Sequence, residues 1–257
     1  MLVFITSLRH PQNRNSTSFD EVLRLLETTL KSVCNQTSDR FRVIVVCHKQ
    51  PSLAFHHPQI EYLEVDLPIP SPLQQARIGM PALRRDRGCK YLLGLRLAQK
   101  YQPSHIMFFD CDDYISNQLA AWVAEYPTAN GWFFQQGYLY DRNNQTLGIL
   151  EDFYLYCGTS HVVRADLYLC PLSLPAQPSQ EEILATVGEH YLLYILGSHR
   201  WVSTHLETQG NPLTPLPFSG AIYHVGHGEN LYAKSSMLSI QLVPLTQEIR
   251  TEFSLLV

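Results

Sequence analysis

The sequence predicts an α/β fold with a mostly parallel central sheet and helices on both faces, and three observations predict it. Phe41–Cys47 is an almost wholly apolar run, as a strand buried on both faces requires. A segment of helical period lies between this run and an earlier apolar strand, in the order that builds parallel sheets. A third apolar run, His105–Phe109, passes directly into Asp110-Cys111-Asp112-Asp113, a polar turn at the end of a buried strand. The chain has 257 residues, of which 45% are hydrophobic and 16% charged. That is enough apolar material for one large core. One domain is expected over 1–257, with a first half at 1–115 and a second at 116–257.

The elements follow in order. Leu2–Thr6 reads as the first strand. Ser18 and Glu21 form an S-x-x-E capping box, and Val22, Leu25, Leu26, Thr29, Leu30 and Val33 then repeat at helical spacing. Phe41–Cys47 and Ile60–Val65 are the next strands, and a Pro-rich loop covers Asp66–Pro72. A helix is expected from Arg85 to Lys100, with Leu92, Leu93, Leu97 and Tyr101 on its apolar face and a basic cluster, Arg84, Arg85, Arg87 and Lys90, near its start. Beyond the acidic turn the pattern changes. Gly131–Tyr140 and Phe153–Val163 read as aromatic strands, Glu181–Leu196 as a helix, and Pro171–Pro178 and Pro212–Pro217 as loops.

Composition excludes several classes. The first glycine is Gly79, so the first strand–helix turn has neither a dinucleotide fingerprint nor a P-loop. A net charge of −4 argues against nucleic-acid binding by bulk charge. Six widely spaced cysteines without a C-x-x-C read as buried thiols rather than zinc ligands. The opening run is too short for a signal peptide, and no apolar stretch approaches the roughly 18 residues of a membrane span. A cytoplasmic protein is expected, with peripheral membrane contact left open.

The acidic turn carries the chemistry. Three carboxylates this close repel one another and raise one another's pKa. A hard divalent cation such as Mg²⁺ or Mn²⁺ relieves that repulsion, and Mg²⁺ in particular takes one or two carboxylates together with substrate phosphates. The carboxyl end of a central strand is also where open α/β sheets bind ligands. The alternative is a polar turn in which Asp113 caps the next helix.

A helix led by basic residues, an apolar strand and then D-x-D-D resemble the nucleotide-sugar glycosyltransferases of the GT-A fold, family 2 most of all. The order of elements matches from Leu2 to about Asp113; the second half matches less closely. The resemblance implies a metal-dependent, inverting transfer of a sugar from a nucleoside-diphosphate donor to a carbohydrate or other hydroxyl acceptor. It implies Asp112 as a direct ligand of Mn²⁺ or Mg²⁺, Asp110 at the ribose or a metal-bound water, and Asp113 in a secondary place. Thr6, Ser7 and Arg9 occupy the nucleoside-cradling segment, although Arg9-His10-Pro11 replaces the usual P-x-Y-N pattern. Arg87 and Lys90 stand where the family presents cations to the donor. Gly158, in a G-x-x-x-x-x-R segment ending at Arg164, stands on the acceptor side. Glu189 stands for the catalytic base, followed by His190 where the family has Asp, with Asp152 in reserve. His227, or else His224, would reach the metal from a closing loop at Gly226–Asn230. A catalytically silent nucleotide-sugar-binding module and a nucleotidylyltransferase are the alternatives, the latter disfavoured by the missing glycines.

Overall fold

Alternate residues of the central strands enter two separate cores, and this places helices on both faces of the sheet. In the computed structural model, which describes residues 1–12, 18–70, 80–228 and 240–255, strand β1 (Leu2–Ser7) sends Leu2 and Phe4 to one core and Val3 and Ile5 to the other. Strand β2 (Phe41–Cys47) divides its residues likewise, with Val43, Val45 and Cys47 on the first side and Ile44 and Val46 on the second. The first core is covered by α1 (Phe19–Val33) and α3 (Leu119–Glu125). The second is covered by α2 (Met80–Ala98), α4 (Gln180–Val187), a π-helical turn at Tyr191–Leu196 and α5 (Val202–Thr208).

The remaining strands are β3 (Ile60–Glu64), β4 (His105–Phe108), β5 (Tyr114–Ile115), β6 (Gly131–Phe133), β7 (Gln136–Asp141), β8 (Thr146–Glu151), β9 (His161–Arg164), β10 (Thr214–Pro215), β11 (Ala221–Val225) and β12 (Gln241–Val243). A final helix, α6, spans Gln247–Phe253. Seven strands form the central sheet in the order β10-β6-β9-β4-β1-β2-β3. Its ladders are parallel except where β9 runs antiparallel to β4 and β6. The α/β class with a mostly parallel sheet is therefore what the chain adopts. A second sheet, β12-β8-β7-β11-β5, stands beside it without a counterpart in the sequence pattern. Strands β3, β2, β1 and β4 point the same way, so their carboxyl ends share one edge, where Leu8–His10, His48 and Asp110–Asp113 follow.

Several expected boundaries move, each for a local reason. The strand expected at Gly131–Tyr140 is two strands in two sheets; between them Phe134 is buried and donates its N–H to the Ser160 carbonyl. The strand expected at Phe153–Val163 starts only at His161. Asp152 takes a left-handed φ of 49°, and a 3₁₀ turn at Phe153–Leu155 follows. The helix expected at Glu181–Leu196 breaks at Gly188, whose φ is +80°. Helix α2 begins before Arg85, and a separate 3₁₀ turn at Gln99–Tyr101 completes the expected segment. At α1 the Ser18 hydroxyl accepts from the Glu21 N–H, but the Glu21 carboxylate turns to Arg24 and Arg142, so half of the capping box forms. No disulfide joins the cysteines among the described residues. No described helix is long and apolar enough to cross a membrane. Gly79, the end of the first Pro-rich loop, and Glu229 and Asn230 of the expected closing loop lie outside the described residues.

Candidate functional site

The three aspartates at the end of β4 take three different partners. Asp113 is fully buried and does not cap a helix. Its carboxylate accepts from the Thr159 hydroxyl, from the Cys157 thiol at 3.1 Å and from the His224 N–H at 3.1 Å. Burial, reinforced by the charge of Asp110, pushes its pKa up to about 7 despite these donors. Asp110 turns the opposite way, and Arg87 of α2 lies 3.1 Å from its Oδ1. The chain beside Asp110 is Gly158: a Cβ there would lie 2.4 Å from Asp110 Oδ2, so only glycine lets the carboxylate sit where it does. Asp112 is 15% exposed and has His227 Nε2 at 3.4 Å from its Oδ2. Its pKa is raised well above the usual carboxylate range by burial, then by the charges of Asp113 and Asp110. Ionised Asp112 therefore lacks adequate counter-charge, as carboxylate crowding predicts.

The basic residues sort differently from the sequence expectation. Arg87 does reach the cluster, through Asp110. Lys90 does not. Its side chain is fully buried, and its ammonium donates to the Leu8 carbonyl at 2.8 Å and to Asp86 at 2.7 Å. The reason is position on α2: Lys90 lies one turn after Asp86, the i, i+4 spacing that makes ion pairs on a helix face. Lys90 thus ties α2 to the chain leaving β1. Thr6 is buried. Ser7 hydrogen-bonds Tyr91 of α2, and Tyr91 donates to the Phe109 carbonyl. The Arg9 guanidinium sits 5.6 Å from the Phe19 ring centroid, at the start of α1.

Glu189 lies just past the break at Gly188, and its carboxylate meets Arg85 at 3.2 Å with 63% of its side chain exposed. This contact holds it to α2; no contact among the described residues joins it to the three aspartates. Asp152, the reserve base, accepts from Gln135 at 2.7 Å. His227 Nε2 is 2.9 Å from the His224 carbonyl, so this nitrogen carries the proton and donates. That tautomer does not offer Nε2 to a cation. Burial lowers the pKa of His227, and it lowers that of His224 to about 4, so His224 is neutral near pH 7. Among the described residues no three His, Cys, Asp or Glu side chains converge as a metal-holding group.

Residues that sequence reasoning passed over complete the site. Thr159 donates to Asp113 and accepts the Asp110 N–H at 2.9 Å, so one hydroxyl fixes two of the aspartates. His199, its pKa lowered by burial to about 4, faces the Asp110–Arg87 pair and is 3.3 Å from the Leu155 carbonyl. With Arg87, Gly158 and His161 it encloses a cavity of about 20 Å³, room for one water-sized group. On the other side of the cluster, α1 and the β7–β8 turn enclose a larger pocket of about 270 Å³ that has Asp112 and His224 among its walls. Across that pocket Arg142 reaches Glu21 at 2.6 Å. Only the segment Cys157–Ser160 carried a usable sequence signal, through its small residues; the β7–β8 turn carried none.

No protein-family model matches the chain, and no curated protein matches it. Solved structures of similar shape include TarS 1-349 from S. aureus, at 13% identity and a TM-score of 0.39 over 87% of this chain. This chain spans 60% of that one. A nucleotidyl transferase from Methanothermobacter thermautotroptrophicus is similar at 13% identity and a TM-score of 0.40, over 88% of this chain and 87% of its own. The 2-C-methyl-D-erythritol 4-phosphate cytidylyltransferase of Francisella tularensis is similar at 11% identity and a TM-score of 0.40, over 92% and 96%.

Proposed function

We propose that this chain moves a sugar from a nucleoside-diphosphate donor to an acceptor hydroxyl, with Mn²⁺ or Mg²⁺, by inverting displacement. The observation that carries the reading is Asp112: a carboxylate at the carboxyl end of a central strand whose charge is disfavoured by burial and by two neighbouring aspartates. The donor set suits a shared cation rather than a resident one. Asp113 already has three donors and Asp110 is held by Arg87, so the described residues offer one or two oxygens and no converging third group. Mg²⁺-type sites complete such a shell with water and substrate phosphates. A bound cation would offset the negative charge that develops on a departing diphosphate.

The chain's own residues divide the remaining work. Gly158, Arg87 and Thr159 hold Asp110 in one place, and Arg87 adds a fixed positive charge beside it. Glu189 is the base we assign to the acceptor hydroxyl, and it must leave Arg85 to act. The test is incubation of the protein with nucleoside-diphosphate sugars, Mn²⁺ and a panel of carbohydrate acceptors, whose hydroxyl takes the sugar as the diphosphate leaves. Release of nucleoside diphosphate is expected, abolished in Asp112→Ala and strongly slowed in Glu189→Gln. Release of pyrophosphate from nucleoside triphosphates instead assigns nucleotidyl transfer, and release of neither assigns a binding module.

A further inference from the structure

The pocket between α1 and the β7–β8 turn has charged side chains at its rim. Glu21 Oε2 is 2.8 Å from Arg24, and Glu21 Oε1 is 2.6 Å from Arg142. Two guanidiniums share one carboxylate at the rim, and the second carboxylate of the lining, Asp112, stands at the side of the pocket. The Arg142 side chain is 49% exposed and that of Arg24 71%, whereas the Glu21 side chain is 18% exposed. Arg142 stands at the pocket in a hydrogen-bonded turn. Asp141 accepts the N–H groups of Asn143 and Asn144, and the Gln145 side chain donates to the Arg142 carbonyl. Behind the rim the pocket holds about 270 Å³, walled by Tyr114, Tyr140 and His224 with Asp112 at one side. Between the rim and Asp112 its walls are the aromatic rings of Tyr114, Tyr140 and His224. The pocket thus has cationic donors at its rim, aromatic walls and the cation-seeking Asp112 at its side.

We propose that this pocket is a phosphate subsite in which Glu21 stands in for the ligand: a phosphate group displaces the Glu21 carboxylate and takes the donors of Arg142 and Arg24. A planar guanidinium binds carboxylate and phosphate with the same fork geometry, so the exchange needs no change of fold. The inference deepens the donor reading, on which it partly rests. Lys90, the expected counter-ion of the donor, is locked inside the molecule, and Arg142 and Arg24 take its place beside Asp112. The donor's phosphates then lie on the α1 side of the aspartates, and the acceptor on the α2 side with Gly158 and Glu189. The same chemistry serves a phosphate carried by the acceptor.

The test is calorimetric titration of the full chain at fixed ionic strength, with inorganic pyrophosphate and with glucose 6-phosphate, each with and without Mn²⁺. Phosphate binding is expected to weaken about tenfold or more in Arg142→Gln and in Arg24→Gln. It is expected to tighten several-fold in Glu21→Gln, where the internal competitor is gone, an effect that loss of a merely structural ion pair does not produce. Lys100→Gln removes a surface charge far from the pocket and is expected to leave affinity unchanged. Preference for pyrophosphate, sharpened by Mn²⁺, assigns the subsite to the donor; preference for glucose 6-phosphate assigns it to the acceptor. Unchanged affinity in Arg24→Gln, whose exposed side chain the fold does not need, overturns the proposal. So does weaker binding in a Glu21→Gln protein of unaltered circular dichroism. Pyrophosphate binding that survives while no nucleoside diphosphate binds sinks the sugar-donor reading and leaves the subsite standing.

Discussion

Gly158 and Thr159 set the geometry of the acidic turn between them. Gly158 lacks the Cβ that would lie 2.4 Å from Asp110 Oδ2, and that carboxylate cannot easily yield because Arg87 holds its other oxygen. Gly158→Ala is therefore expected to weaken Mn²⁺-dependent nucleotide binding about tenfold while costing about 1 kcal/mol or less in stability, read by titration and denaturation of one sample. Thr159 works through hydrogen bonds. Thr159→Val leaves the buried Asp113 carboxylate short of a donor and the Asp110 N–H short of an acceptor. A loss of about 2–3 kcal/mol is expected in chemical denaturation, largely recovered in Thr159→Ser. At this scale the sequence was partly legible. D-x-D-D announced its own crowding, since repulsion between adjacent carboxylates needs no tertiary information. The partners were not legible, because Thr159, Cys157 and His224 reach Asp113 from 44 to 111 positions away.

Elements that bury both faces were read well, and elements that switch sheets were not. β1, β2 and β4 are apolar at every parity because each feeds two cores, and the sequence shows that directly. The sequence reads β7 as a continuation of β6, because Gly131–Tyr140 is rich in aromatic residues, and it marks no strand at β8; among the described residues the two pair with each other and with β11 and β12. Helix α2 shows the same limit. Its basic start is plain in sequence, yet which cation faces the site depends on helical phase. Lys90 points inward at Leu8 and Asp86, and Arg87 points at Asp110. Lys90→Met leaves the Asp86 carboxylate, itself buried, without its counter-ion. It is expected to cost about 3–5 kcal/mol, whereas Lys90→Met combined with Asp86→Leu regains most of that. Denaturation of the single and double variants measures this, and a mild single variant would show that Lys90 is not the pin between α2 and β1.

Across the whole molecule, buried histidines make stability depend on pH. His105 is fully buried, with Nε2 at 2.9 Å from the Ala129 carbonyl, and burial lowers its pKa to about 4. His161 is held between Ser160 and Ser203, and burial lowers its pKa to about 3. A histidine whose folded pKa lies below its unfolded value takes up its proton more readily when unfolded. The stability it allows is complete above about pH 6.5 and is lost as pH falls towards the folded pKa. For His105 alone the loss is on the order of 3 kcal/mol by pH 4. Urea denaturation at pH 7 and pH 5 is expected to show a less stable protein at pH 5, with a shallower dependence in His105→Gln. Equal stability at both values contradicts this account.

In the proposed reaction Asp112 recruits a cation together with a nucleoside diphosphate. Calorimetric titration of the protein with UDP, GDP, CDP and TDP, with Mn²⁺ and without it, tests this most directly. One nucleotide is expected to bind only when Mn²⁺ is present, and Asp112→Ala is expected to abolish that binding while the protein stays folded. Binding that ignores Mn²⁺ or survives Asp112→Ala, or no binding of any of the four, would contradict it.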